Sequence, residues 1–198
     1  FGGRPRFSEL PEALQRDVRA LFSSYKSACA ASDELLFEAG DVEAIDTACR
    51  RSPVGKLTGN ALYVHESALA DLPPILRVYE GCGRSYLGAV EGANVVKLHR
   101  GRPKVSYLAY PDFDRHPHPS LHTSLSVALD TFKVRVHRYA ESENPPILHR
   151  KEEFLNAEHP DRAKLERLTR QEERHGLYEH PSTIGLRVGW EELLAEKG

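Results

Sequence analysis

Over the first fifty residues, apolar positions recur at helical spacing. Leu14, Val18, Leu21, Phe22 and Tyr25 stripe one side of a helix, and Ser8 with Glu9, Pro11 and Glu12 marks its start. The pattern predicts a long helix, or two in line, from about Pro11 to Ala39, stopped by Gly40. Asp41 can cap a further helix running through Cys49, with Pro53 closing it. These elements form a helical annex over 1–52, and the remainder, 53–198, reads as an α+β domain, with one compact unit as the alternative. A loop over 55–60 leads to a short strand at Leu62–Val64 and a helical stretch near Ser67 to Ala70.

Beyond Asn94 the period changes from helical to two. Asn94–His99 and Lys104–Tyr110 read as a hairpin around Gly101-Arg102-Pro103. Alternation assigns Val96, Leu98, Val105 and Tyr107 to a buried face and sends Lys97 and His99 to the other. The prolines of 111–119 enforce a loop. Leu125, Val127 and Leu129 alternate, and so do Phe132, Val134 and Val136 with Lys133, Arg135 and His137 between them. That second strand has one greasy face and one basic face. From Glu152 onward the chain turns helical, with a charged amphipathic helix ending at His175-Gly176, a turn at 182–185 and a short closing helix around Trp190. The fold class is α+β: an N-terminal helical segment plus a mostly antiparallel sheet flanked by helices.

One stretch, "RVYEGCGR" from Arg77 to Arg84, imitates the glycine turn of a nucleotide-binding or adenosylmethionine-binding unit. Such a turn needs a strand running in, a helix running out and an acidic residue about 20 positions on. Here Pro73-Pro74 precedes it, no third glycine follows, and the corresponding downstream segment is the basic Val96–Arg100. A helix that begins near Pro74 and stops at Gly81 or Gly83 is the simpler reading.

Composition narrows the class without choosing a role. A chain of 198 residues can bury about 70% of its unfolded surface and needs no staples. No apolar run approaches the ~20 residues of a membrane-spanning helix, so no membrane partner is expected. Cys29, Cys49 and Cys82 are odd in number and unpaired in spacing, which fits reduced thiols in a cytoplasmic protein. The chain lacks methionine and reads as a piece of a longer protein, with Phe1 and Gly2 as cloning remnants. A formal net charge of −2 argues against a basic field over the whole molecule, so any polyanion site must be local. Between Asn94 and His118, five cations face two aspartates, while the first fifty residues are net acidic.

Three clusters could carry chemistry. The hairpin supplies Lys97, His99, Arg100, Arg102 and Lys104 to press phosphates, with Tyr107 and Tyr110 to stack on bases; a solvated strand edge uses the same cations. Asp112, Asp114, His116 and His118 could ligate a divalent metal, though aspartate and histidine also form turns in proline loops. Downstream, Asn144-Pro145-Pro146 leads into His149, Arg150, Lys151 and Glu152. Arg150 and Lys151 could hold an anion, and His149, Lys151 and Glu152 are the candidates for acid–base work; an internal ion-pair knot is the alternative.

The runs "SPVGKLTGNALYVH", "LPPILRVYEGCGR", "VVKLHRGRPKVSYLAYPDFDRHPHPSL", "NPPILHRKE" and "LTRQEERHGLYEHPSTIGLRVGWEELL" resemble the C-terminal region of the DNA phosphorothioation-associated methyltransferases. The resemblance spans Arg4 to Glu196. It implies a bacterial DNA-modification or defence setting and a methyltransferase-like half N-terminal to this region, where S-adenosylmethionine would bind; it implies no cofactor and no catalytic residue here. The expected role is a nucleic-acid-recognition module, for DNA or RNA, in which the hairpin and the segment after Pro146 meet on one face. A metal-dependent enzyme domain acting on nucleic acid or a phosphorylated substrate remains open, and so does a protein-interaction domain using the helix from Arg162 to Arg174.

Overall fold

The computed structural model describes residues 4–197; Phe1 and Gly2 lie outside them. Helix α1 (Glu12–Leu21) is followed by α2 (Tyr25–Glu38) and α3 (Val42–Arg51). The chain breaks between α1 and α2 because Ser24 competes for the backbone. Its side chain accepts from the Ser27 N–H at 3.1 Å, while the Ser27 hydroxyl accepts from the Ser24 N–H at 3.1 Å. This reciprocal cap starts a new helix where the apolar stripe alone would have continued the old one. At α3 the Asp41 carboxylate accepts from the Glu43 N–H at 2.9 Å, as the sequence predicts.

Six strands follow in a continuous antiparallel meander: β1 (Lys56–Leu57), β2 (Ala61–His65), β3 (Val95–His99), β4 (Lys104–Ala109), β5 (Thr123–Ala128) and β6 (Val134–Arg138). Strand β1 lies inside the segment read as a loop; two residues are too few to show alternation. Helix α4 (Pro74–Leu87) connects β2 to β3 after a 3₁₀ turn at Glu66–Asp71. Contrary to the sequence reading, α4 does not stop at Gly81 or Gly83 but runs on to Gly88, whose φ of 77° suits only glycine well. A Cβ on Gly83 would stand 2.9 Å from the Tyr107 hydroxyl and 3.2 Å from Val105 Cβ. The glycine is there to let helix and sheet approach, and that packing outweighs its helix penalty of about 1 kcal/mol.

The assigned buried face holds. Leu62, Val64, Val96, Leu98, Val105, Tyr107 and Val127 join Ile45 and Cys49 of α3 and Leu76 and Tyr79 of α4 in the main core. Helix α3 therefore shares the core of the sheet. Tyr79 also fixes the β3–β4 turn from below: its hydroxyl accepts from the Lys104 N–H at 2.7 Å, and the carbonyls of His99, Arg102 and Lys104 lie at 3.2, 3.0 and 3.1 Å to take its proton.

The opposite face is covered at one end only. Val95 and Leu108 pack there with Tyr110, Phe113, Leu121, Leu148, Phe154 and Leu155. That cover comes from the proline loop, a 3₁₀ turn at Lys151–Phe154 and α5 (Arg162–Arg174), while Trp190 of α6 (Arg187–Lys197) packs with Leu177 and Ile184 beside it. Strand β6 is exposed throughout, so its greasy side, with Val134 and Val136, faces solvent rather than core.

Candidate nucleic-acid interface

On the partly covered face, the strand register places one residue from each strand in a straight row: Lys56, Tyr63, Lys97, Ser106, Ser126 and Arg135. Side chains of neighbouring strands at paired positions share a face, so this row is a polar and cationic stripe running across the whole sheet. Next to it, on the same face, lie His99 and Lys104, and Arg102 stands at the turn between them. A cavity of about 670 Å³ opens over the stripe. Its walls include Lys97, Arg102 and Lys104 from the hairpin and Pro146, Ile147 and His149 from the downstream segment. The hairpin and the segment after Pro146 thus meet on one concave face. A second cleft of about 210 Å³ shares Arg102 and Lys104 and adds Lys133 and Arg135, with Asp130 at its edge.

Of the stripe's charges, Lys56 is compensated by Glu153 at 3.5 Å, and the others stand without an acidic partner among the described residues. Among the described residues, Lys97, Arg102, Lys104, Lys133 and Arg135 make no salt bridge. Burial, then repulsion from Arg102, Lys97 and Arg135, pushes the Lys104 ammonium below its ordinary value. Burial, then the same hairpin cations Lys97, Lys104 and Arg102, drives His99 down to about 3. His99 is thus neutral, with its Nε2 3.0 Å from the Ser106 hydroxyl. Lys97 stands over the Tyr63 ring, 4.9 Å from its centroid.

Several residues expected at this interface lie elsewhere. Arg100 turns inward: it is 6% exposed, its Nε donates to Asp46 at 2.6 Å, and its Nη1 donates to the Thr58 carbonyl at 2.7 Å. Tyr107 lies on the opposite face of the sheet and donates to the Glu80 carbonyl at 3.1 Å, so it offers no surface to a base. Tyr110 contributes to the cavity wall but is packed into the second core. Arg150 pairs with Glu173 at 2.6 Å and lies over Tyr178, and Lys151 is buried, donating to the carbonyls of Phe113 and His116. Both cations are turned inward, Arg150 into the ion pairs that the alternative reading names and Lys151 onto backbone carbonyls, so neither offers its charge to the cavity.

The acid–base set does not assemble. The Nε2–H of His149 donates to the Ile184 carbonyl at 2.7 Å, and burial lowers its pKa to about 4. Glu152, raised by burial, accepts from Thr169 at 3.0 Å and bonds neither His149 nor Lys151. The proposed metal ligands also diverge: Asp112, Asp114 and His116 face solvent, whereas His118 donates to Glu172 at 2.7 Å. Among the described residues no group of three or more histidine, cysteine or acidic side chains is placed to hold a metal. Helix α5 turns Thr169 and Glu172 inward, and its Arg162 and Arg170 pair with its own Glu166.

Lys56, Tyr63, Ser106, Ser126, Arg135 and Tyr139 are the site residues that sequence reasoning missed. The alternation of Lys133, Arg135 and His137 carried a signal for Arg135. None existed for Lys56, which burial places beside Glu153 and the His149 carbonyl.

Three histidines, His65 and His99 buried and His149 half-buried, set an acid limit on this fold. His65 is pushed to about 4, His99 to about 3 and His149 to about 4, burial being the main cause in each. Unfolded histidine titrates near 6.5. Between that value and about 4 the unfolded chain binds more protons than the native one, so stability falls as pH falls through this window. Against the upward push of burial, bonds from His118 and Tyr178 hold Glu172 low, which adds to the effect, while the raised Glu152 opposes it. Unfolding near pH 5 should take up close to three protons, about one fewer in His99→Asn. Urea titrations across pH measure this uptake, and a flat profile would refute the assignment.

The fold and site together define an α+β protein whose six-stranded antiparallel meander carries a recessed cationic stripe on its half-covered face. No family model matches the chain, and neither a curated protein nor a solved structure matches it.

Proposed function

We propose that the half-covered sheet face is a nucleic-acid-binding surface that holds the phosphate backbone of DNA or RNA. The observation that carries this reading is a set of cations that have no acidic partner among the described residues: Lys97 and Arg135 lie in register across the sheet, with Lys104 and Arg102 beside them. Lys97 and Lys104 are half-buried, so nearby low-dielectric walls reduce screening of their attraction for phosphate, while Arg102 and Arg135 are exposed and add to the field from the rim. Ser106 and Ser126 lie between the cations as buried spacers, the Ser106 hydroxyl being held by His99 Nε2 at 3.0 Å. In this reading the domain is a cytoplasmic recognition module for a DNA-modification enzyme, and the methyltransferase-like half that would use S-adenosylmethionine lies upstream. The resemblance noted above supports that setting. No helix among the described residues is long and apolar enough to cross a membrane.

A salt series tests the reading. With three to four phosphates neutralised, log K against log salt concentration should fall with a slope of about −2 to −4. Anisotropy of labelled DNA and RNA at several salt concentrations reads it. Absence of salt-sensitive affinity for any polynucleotide sinks the proposal.

A further inference from the structure

The large cavity is more than a basic patch. At about 670 Å³ it falls within the range of sites that enclose a small organic group, roughly 300–1,000 Å³. Half of its lining is aromatic or aliphatic, with Tyr63, Tyr139, Phe154, Leu108 and Leu121 among it. Tyr63 and Tyr139 are half-buried, so their rings remain partly open, whereas Phe154 is buried behind them. Ser124, Thr58 and the His149 region add polar groups to the same walls. Phosphate binding alone requires none of this apolar surface, so the chamber asks for a second kind of group attached to the first.

We infer that the ligand is a single-stranded nucleic acid, one of whose bases enters this chamber against Tyr63 and Tyr139 while the flanking phosphates lie on Lys97, Arg102, Lys104 and Arg135. The inference rests on the polyanion reading above and narrows it. In a duplex the base faces are hidden in the stack and the phosphates ride on a convex rod. Here Lys97 and Lys104 are half-buried within a concave surface, which a flexible single strand can follow. Lys97 supplies the link between the two halves of the site, since its ammonium sits directly on the ring of Tyr63. A strand whose base lies in the chamber brings its phosphate to the same place.

The experiment compares three probes at one salt concentration: a short oligothymidylate, its duplex with oligodeoxyadenylate, and a strand of the same length with abasic sites. The single strand should bind about 5- to 100-fold more tightly than the other two, the gain expected from one stacked base. Tyr139→Leu keeps an apolar side chain for folding but removes the ring. It should cost about 5- to 100-fold in single-strand affinity and leave the salt slope unchanged. Ser124→Tyr fills the chamber from its sheet floor, beside Leu108, and should remove the preference for bases while salt-sensitive binding persists. Equal or tighter binding of the duplex overturns the inference, as does undiminished binding of the abasic strand, and both leave the polyanion reading intact. If none of the probes binds, both fall.

Discussion

Replacing Lys97, Lys104 and Arg135 together by glutamine should weaken polynucleotide binding about a thousandfold at about 50 mM salt, with a log–log salt slope shallower by about 2 on a single strand and about 3 on a duplex. The size of the effect follows from counterion release. Each neutralised phosphate contributes roughly 0.7 to 0.9 to the slope, and at low salt that is close to a tenfold gain in affinity per contact. The three side chains come from β3, β4 and β6, and none makes an ion pair within the fold, so glutamine leaves no carboxylate stranded. The expected stability cost is the Lys97–Tyr63 contact, about 0.5–1 kcal/mol. Arg100→Met is the informative control. Arg100 follows β3 directly in the chain, yet its guanidinium is buried against Asp46 and the Thr58 carbonyl. Removing it should lower the melting temperature and leave the salt slope of the folded protein unchanged. A triple variant that binds with an unaltered slope, or an Arg100 variant that loses slope as the triple does, would place the interface elsewhere.

This contrast also shows what the sequence could and could not convey. Two-residue alternation placed Val96, Leu98, Val105 and Tyr107 on one side and Lys97 and His99 on the other, and the structure agrees. Alternation names a residue's face but not what covers that face. Tyr107 belongs to the buried set by its own period, and the expectation that it might stack on a base conflicted with that period. Tyr110 lies past the end of β4, where no periodicity speaks, and the proline loop folds over it. The segment after Pro146 does arrive at the cavity, but Arg150 and Lys151 find carboxylates and carbonyls brought from α5 and from the proline loop. Those partners are remote in sequence, and a local run of cations carries no mark of them. Lys56 shows the converse: unremarkable in its own neighbourhood, it joins Arg135, whose basic strand face was legible, because an unbroken antiparallel register aligns six strands. A row across a sheet is a property of pairing, which no single segment contains.

The same separation between local pattern and tertiary demand should give opposite results at two glycines of α4. Gly81 has open space where a Cβ would stand, so Gly81→Ala should stabilise the protein by about 0.5–1 kcal/mol by removing backbone freedom from the unfolded chain. Gly83 lies two residues further on and faces the sheet, where a Cβ meets the Tyr107 hydroxyl at 2.9 Å and Val105 Cβ at 3.2 Å. Neither neighbour can yield easily: Tyr107 is 1% exposed and tied to the Glu80 carbonyl, and Val105 is fully buried in the middle of the sheet. Gly83→Val should therefore cost about 3 kcal/mol, the upper end of overpacking, and lower the melting temperature by roughly 10 °C for a chain of this size. Thermal unfolding of both variants reads the pair. If the glycines ended the helix instead of passing through it, Gly81→Ala would be neutral or destabilising and Gly83→Val would be mild. If α4 packs on β4 and β5 through a glycine contact, the two changes must move stability in opposite directions. The displacement of Tyr107 in Gly83→Val should also reach the far face of β4, loosening Lys104 and Ser106, so the damage would register as weakened binding as well as lost stability.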